Sequence, residues 1–201
     1  MNKKLIHEVF EKQVESSSDR TAVQDGFNHI TYTELNSRAN QLGHLLINLD
    51  LGDCPIVATL MPSGIELIST ILGIFKTGGI YLPLDESFSE SRFRHIFFQT
   101  KPIVLITMEG WKEKVQKWVD EMKLEIPHML VLGEDSVGLF SKKANTARSV
   151  KNNTLPLSNL KMTVDENSGN YIVYTSGSTG GGKAILGCHK GLSHFIHWEI
   201  E

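Results

Sequence analysis

The stretch Asn170-Tyr-Ile-Val-Tyr-Thr-Ser-Gly-Ser-Thr-Gly-Gly-Gly-Lys183 joins a short apolar run to hydroxyls, glycines and one lysine. Its first five residues predict a β-strand, because aromatic and β-branched side chains favour strands. The glycines that follow let backbone N–H groups turn toward an anion, and the hydroxyls and the lysine add donors and positive charge. A flexible Gly/Ser surface loop is the alternative, but such loops rarely lie between a strand and a lysine. The stretch therefore predicts a phosphate-binding loop with the contact residues Thr175, Ser176, Gly177, Ser178, Thr179, Gly180 and Lys183.

The same loop nearly matches the G-x-x-x-x-G-K pattern of nucleotide hydrolases, through Gly177, Gly182 and Lys183. That pattern needs a Ser or Thr after the lysine to hold Mg²⁺, and a helix whose N-terminus faces the phosphates. Ala184 follows the lysine here, and residues 184–187 predict a second short strand. The sequence therefore favours a strand-loop-strand device, although an independent nucleotide-binding or hydrolysing module that uses residues 175–183 stays open.

Three segments together resemble the adenylate-forming enzymes, and within them the amino-acid adenylation domains of nonribosomal peptide synthetases. Residues Ile30 to Leu42 resemble the first conserved block of that family, and Ile74 to Asp85 resemble the second. The loop at Tyr174 to Lys183 resembles the third, Y-T-S-G-[ST]-T-G-x-P-K-G. The form Gly-Gly-Ile-Tyr-Leu-Pro-Leu-Asp85 is closer to peptide-synthetase domains than to acyl-CoA ligases or luciferases. The resemblance spans nearly the whole chain and predicts a partial adenylation domain over residues 1–201.

The resemblance implies ATP and Mg²⁺ as cofactors and an amino acid as substrate. In the family, the amino acid's carboxylate attacks the α-phosphorus of ATP, pyrophosphate leaves, and the acyl group passes to a phosphopantetheine thiol on a carrier domain. The loop hydroxyls, the backbone N–H groups and Lys183 would then clamp the departing pyrophosphate.

Two positions in the third block depart from the family pattern. Gly182 stands where the family has proline, and Ala184 stands where it has glycine. The blocks that hold the α-amino group, adenine and ribose, and the catalytic lysine of the C-terminal domain, come later in the family and are not in this sequence. We therefore expect no catalytic residue here, inactivity of the chain alone, and a partner that supplies the missing C-terminal part. A non-catalytic remnant is the other alternative.

Composition limits the class of protein. The 201 residues are 40% hydrophobic and 21% charged, which suits a packed globular domain. A net charge of −3 and a pI near 6.2 provide no basic field for nucleic acid. We expect no membrane span, because no stretch approaches the roughly 18 apolar residues that one needs. Two cysteines and a polar N-terminus are typical of a cytoplasmic protein.

Helical and strand patterns alternate along the chain, which predicts an α/β fold with a mainly parallel, twisted sheet and flanking helices. The resemblance implies that this fold is the N-terminal portion of the large domain of an adenylate-forming enzyme. Thr31 to Glu34 has the form of a capping box, and Ser63 is the predicted cap of a helix that ends at Gly78. The predicted strands are 54–60, 80–84, 103–107, 129–132 and 170–174, and the later helices are 89–99 and 110–123.

Residues 133–168 break this alternation, because they are rich in Lys, Asn, Ser and Thr and poor in apolar residues. We predict a solvated loop region, with a surface insertion favoured over any binding role.

Four side chains near the end of the chain have donor atoms for a metal ion: Cys188, His189, His194 and His197. Their spacing matches no standard pair of ligand clusters, so a helix with scattered imidazoles is favoured and no metal site is predicted. Asp85 could act as a general base, but a carboxylate at the C-terminal end of a strand more often caps the next helix or orders its loop. Trp111 and Trp118 are interpreted as packing residues, because they lie seven apart at helical spacing.

Overall fold

The computed structural model describes residues 4–142, 145–175 and 182–200. Its elements, in chain order, are α1 (Ile6–Ser17), β1 (Thr21–Asp25), β2 (Asn28–Thr31), α2 (Tyr32–Ile47), β3 (Ile56–Thr59), α3 (Ile65–Lys76), β4 (Ile80–Pro83), α4 (Glu90–Thr100), β5 (Val104–Met108), α5 (Lys112–Glu121), β6 (His128–Leu132), β7 (Ser136–Ser141), β8 (Thr146–Lys151), β9 (Gly169–Thr175), β10 (Lys183–Cys188) and α6 (His189–Ile200).

The central sheet of the described residues has the order β10-β9-β4-β3-β5-β6-β7-β8. Strands β9, β4, β3, β5 and β6 are parallel, whereas β10, β7 and β8 pair antiparallel with their neighbours. A separate two-stranded hairpin, β1–β2, lies before α2. The predicted α/β class with a mainly parallel sheet and flanking helices is confirmed.

Apolar side chains cover both faces of the sheet, because successive residues of a strand point to opposite sides. On one face, Ala58 and Leu105 pack with Phe93 and Phe97 of α4 and Val115 of α5. On the other face, α2 and α3 pack against Val57 of β3 and against Val104 and Ile106 of β5. Helices on both faces explain why the central strands are nearly continuous apolar runs.

Caps fix where the helices begin. The predicted capping box of α2 is present: Glu34 N donates to Thr31 Oγ1 at 3.2 Å, and Thr31 N donates to Glu34 Oε2 at 2.9 Å. Ser89 caps α4 by accepting from Arg92 N at 3.3 Å. The predicted cap at Ser63 is wrong, because Gly64 occupies the N-cap of α3 and provides no side-chain acceptor.

The prediction of a loop over 133–168 is wrong for Ser136–Ser141 and Thr146–Lys151. Strands β7 and β8 form an antiparallel pair that extends the sheet beyond β6. Val137 and Leu139 are buried among the side chains on the α2–α3 face, and Gly138 lies between them in the strand. Strand β8 is polar and mostly exposed, so it forms through pairing with β7 rather than through burial of its own side chains.

Residues 152–168, here called the strap, return the chain from β8 to β9 across α2 and α3. Most of them are exposed, and apart from one 3₁₀ turn at Asn152–Thr154 they form no helix or strand. Side chains of α2 donate to the strap's carbonyls: Asn40 Nδ2 to Leu157 O at 2.7 Å and Gln41 Nε2 to Asn152 O at 2.7 Å. Leu160 packs so closely over Gly43 that a Cβ there would lie 2.8 Å from Leu160 Cδ2. The anchoring of this exposed segment on α2 was not predicted, because its acceptors are backbone carbonyls, which do not depend on residue type.

Candidate functional site

The candidate site lies where β9 ends and β10 begins. The two strands are antiparallel, and Lys183 is directly opposite Thr175 at the open end of the ladder. Both side chains are exposed. A lysine and a threonine hydroxyl on adjacent strand ends provide one cation and one hydrogen-bonding group at the two ends of the connecting loop.

The middle of the predicted phosphate loop, Ser176, Gly177, Ser178, Thr179 and Gly180, lies outside the described residues. Gly182 is described and has φ +65°, in the left-handed region that glycine adopts without steric cost. A Cβ at this position would lie 2.9 Å from the carbonyl oxygen of Thr175. The departure from proline at 182 therefore coincides with a backbone conformation that proline cannot adopt.

Strand β9 runs parallel to β4, with Tyr171 opposite Tyr81, so Thr175 lies at the same edge of the sheet as the carboxyl ends of β3, β4, β5 and β6. In open α/β sheets, ligands bind at this edge. The segment that follows β4 is ordered by Asp85, whose Oδ1 accepts from Ser87 N at 2.8 Å. Hydrogen bonds from Ser87 lower the pKa of Asp85, so its carboxylate organises the turn, as interpreted from the sequence.

Tyr174, next to Thr175 on β9, contacts α4. Its hydroxyl donates to Gln99 Oε1 at 3.0 Å, and its ring meets that of His95 edge to face. Burial raises the pKa of Tyr174, so the phenol is neutral and its hydroxyl can donate the hydrogen bond to Gln99. Helix α4 thus holds Tyr174, and with it the carboxyl end of β9, in place.

The segment that follows the loop differs from that of a nucleotide hydrolase, because it is a strand and not a helix. Lys183 begins strand β10, and the next helix begins only at His189. No helix N-terminus therefore follows the lysine directly, which disfavours the alternative based on the G-x-x-x-x-G-K pattern.

His189 is buried and does not belong to a metal site of the described residues. Its ring packs edge to face against Phe75 and His7, with centroids 5.8 and 6.1 Å away. Burial lowers the pKa of both histidines to about 4, so they are neutral at pH 7. Throughout the described ranges, no three His, Cys, Asp or Glu side chains are grouped to hold a metal ion.

Sequence reasoning did not single out Lys76, although it lies within the second motif. Its side chain is only 1% exposed and forms an ion pair with Glu11 of α1. Burial lowers the pKa of Lys76, and the hydrogen bond that its ammonium donates to the Glu11 carboxylate opposes that shift. A lysine at the end of an otherwise apolar helix is the signal that could have revealed this pair.

Trp111 and Trp118 pack against the apolar cluster beneath α4 and α5, as interpreted from their spacing.

Comparison with known proteins assigns the family. Residues 10–200 match the model of the AMP-binding enzyme family. The chain belongs to this family.

Among curated relatives of this AMP-binding chain, the dimodular nonribosomal peptide synthase of Bacillus subtilis (strain 168) is 31% identical over 191 residues, which is 95% of this chain and 7% of that protein. Bacitracin synthase 1 of Bacillus licheniformis is 34% identical over 193 residues, covering 96% of this chain and 3% of that protein. The chain therefore spans less than a tenth of the length of these relatives.

A solved nonribosomal peptide synthetase, FmoA3 (S1046A) in its alpha-methyl-L-serine-AMP bound form, has the same fold, with a TM-score of 0.74 and 21% identity. The superposition covers 96% of this chain and 19% of that structure. Within the residues that the structure describes, no helix has both the length and the hydropathy of a membrane span.

Proposed function

We propose that this chain is the N-terminal part of an ATP-dependent, amino-acid-activating domain of nonribosomal peptide synthesis, and that residues 174–183 hold the pyrophosphate. The observation that carries the proposal is the exposed pair Thr175 and Lys183 at the carboxyl edge of the sheet, at the two ends of a glycine- and hydroxyl-rich loop. The family match and the peptide synthases among the relatives support an amino acid as the acid that is activated.

The reaction needs a group that stabilises charge on the leaving pyrophosphate. An amino-acid carboxylate oxygen forms a bond to the α-phosphorus of ATP while the bond to the pyrophosphate oxygen breaks, so negative charge builds up on the leaving group. The ammonium of Lys183 neutralises part of this charge, and the hydroxyls of Thr175, Ser176, Ser178 and Thr179 and the N–H groups near Gly177 and Gly180 orient the phosphates. These residues position the leaving group and form no covalent bond.

The remaining parts of the reaction lie elsewhere. We place recognition of the amino acid and the adenine on a C-terminal part of the same enzyme, which is this chain's proposed partner together with a carrier domain bearing phosphopantetheine. Mg²⁺ would shield the phosphates when ATP binds. Two free cysteines suit the reducing cytoplasm in which we place the protein.

The first test measures binding of pyrophosphate and ATP to the 201-residue chain by titration calorimetry. We expect Lys183→Ala to weaken binding of both ligands about tenfold, because one charge-assisted contact to phosphate is lost. Lys151→Ala is the matched control, since Lys151 is also exposed but lies on β8 at the opposite edge of the sheet. Equal affinities of the two variants would contradict the clamp.

The second test measures amino-acid-dependent exchange of labelled pyrophosphate into ATP. We expect none with the chain alone, and activity after fusion to the segment that follows the matched region in bacitracin synthase 1. In that fusion, Lys183→Ala should slow adenylate formation by about 2–4 kcal/mol of transition-state stabilisation, or roughly 30- to 1,000-fold. Exchange by the isolated chain would contradict the proposed division of the enzyme.

A further inference from the structure

A groove lies at the opposite end of the sheet from the phosphate loop. Its two walls are the second half of α4 with residues 101–103, and residues 122–127, which lead from α5 into β6. These segments precede the amino ends of β5 and β6, whereas Thr175 and Lys183 lie at the carboxyl edge. The groove has a volume of about 1080 Å³.

The floor of the groove is apolar. Residues 122–126 leave α5 through a turn in which Lys123 has a φ of +52°, and their burial alternates: Met122, Leu124 and Ile126 are buried while the residues between them are exposed. On the α4 side, Phe98 is 80% exposed beside the buried Phe97. The Phe98 ring therefore extends the apolar lining of the groove to the protein surface.

The rim of the groove is basic, although the chain as a whole carries a net charge of −3. Lys101, Lys123 and Lys142 line it and are exposed, and Glu125 is the acidic side chain in the lining. None of the three lysines forms an ion pair with a carboxylate within the described part of the chain. Their charges are therefore available to a partner.

The size and shape of the groove favour a peptide segment over a metabolite. Its volume is at the upper end of the roughly 300–1,000 Å³ of small-molecule pockets, but it is an open cleft between two segments, whereas small-molecule sites enclose most of their ligand. An apolar floor with charged edges is the arrangement that accepts the apolar face of an amphipathic segment, with charges of opposite sign meeting at the rim.

We propose that this groove docks an acidic, amphipathic segment of a partner protein, with apolar side chains against Phe98, Met122 and Leu124 and carboxylates at Lys101, Lys123 and Lys142. Docking leaves the phosphate loop open, because the two surfaces lie at opposite ends of the parallel strands. This surface is separate from the proposed nucleotide site and does not depend on it.

The test presents a displayed library of random 12-residue peptides to the 201-residue chain and sequences the peptides that are retained. Lys101→Glu/Lys123→Glu reverses the charge of the rim, and Phe98→Ala removes the exposed ring without touching the core. The matched control is Lys151→Glu/Lys161→Glu, which makes the same change of charge at two exposed lysines on β8 and the strap. Thermal melts confirm that every variant is folded.

We expect the retained peptides to be net acidic with spaced apolar residues, and their binding to weaken at least tenfold in the rim variant and in Phe98→Ala but not in the control. Binding should also weaken as salt rises from 50 to 300 mM, because rim charges are screened. Retention of neutral or basic peptides, equal loss in the control, or no enrichment at all would overturn the proposal. So would preferential binding of anionic lipid vesicles or single-stranded DNA to the same rim.

Discussion

The ammonium of Lys76, buried at the end of α3, is ion-paired with the carboxylate of Glu11 on α1. The two partners differ in exposure: the Lys76 side chain is 1% exposed, and that of Glu11 is 23% exposed. This difference means that removing one partner is not equivalent to removing the other, because only Lys76 would be left as a buried, unpaired charge.

We expect Glu11→Gln to lower the free energy of unfolding by about 3 kcal/mol, and Lys76→Met to lower it by less. Methionine fills the space of the lysine stem without a charge, and the remaining Glu11 can be hydrated. Urea unfolding measures both values. The exposed pair Arg94 and Glu90 is the control, where Glu90→Gln should cost less than about 1 kcal/mol. Equal losses from Glu11→Gln and Glu90→Gln would contradict the assignment of a buried pair.

The buried histidines predict a loss of stability in mild acid. The pKa of His7 and His189 is about 4 in the folded chain, below the ordinary value of 6.5, so the unfolded chain binds more protons between these values. Stability is fully present above pH 6.5 and falls as the pH drops toward 4, by at most roughly 3 kcal/mol for each histidine. Urea unfolding at pH 7, 5.5 and 4.5 measures this slope.

Replacing one of the two histidines identifies the source of the slope. His7→Gln should flatten the pH dependence, whereas His29→Gln should leave it unchanged, because His29 is exposed. The same slope in all three proteins would show that carboxylates, rather than these imidazoles, govern the acid response.

Gly182 predicts that restoring the family's proline damages this loop instead of improving it. At φ +65°, proline cannot be accommodated, and even alanine brings its Cβ to 2.9 Å from Thr175 O. We expect Gly182→Pro and Gly182→Ala to weaken pyrophosphate binding and lower the melting temperature by a few degrees. Ala184→Gly, on the exposed face of β10, is the control for loop flexibility. Tighter binding by Gly182→Pro would show that the loop adopts another conformation when occupied.

Strand β10 predicts self-association of the isolated chain. It is the last strand of the described sheet, Leu186 on it is 60% exposed, and α6 next to it exposes Phe195 and Trp198. An unpaired strand with exposed apolar side chains is a template for further strands. We expect oligomers in size-exclusion chromatography with light scattering, and a shift toward monomer in Ile185→Lys. A stable monomer of the unsubstituted chain would argue that this edge is already protected.

The elements that sequence reasoning predicted are those whose signals are local. The capping box at Thr31 and the long apolar stripe of α3 determine their structure within one or two turns. The anchoring of the strap was not predicted, because its hydrogen bonds join residues far apart in the sequence, as from Asn40 to Leu157 O. The acceptors are backbone carbonyls, which every residue has, so composition does not reveal them. At the site, the residue types predicted the strand-loop-strand form, but the positive φ of Gly182 depends on the pairing of Lys183 with Thr175.

The path of the strap also sets an order of assembly. Tyr81 and Tyr171 pair across β4 and β9 although 90 residues separate them, and the chain between them first completes the far edge of the sheet. Contacts of such large sequence separation carry a high loop-closure cost and form late. We expect the strap to shorten this search, because its bonds to α2 tether the chain that leads into β9. On this argument β9 joins the parallel sheet last, so binding of pyrophosphate at the proposed loop should report completed folding.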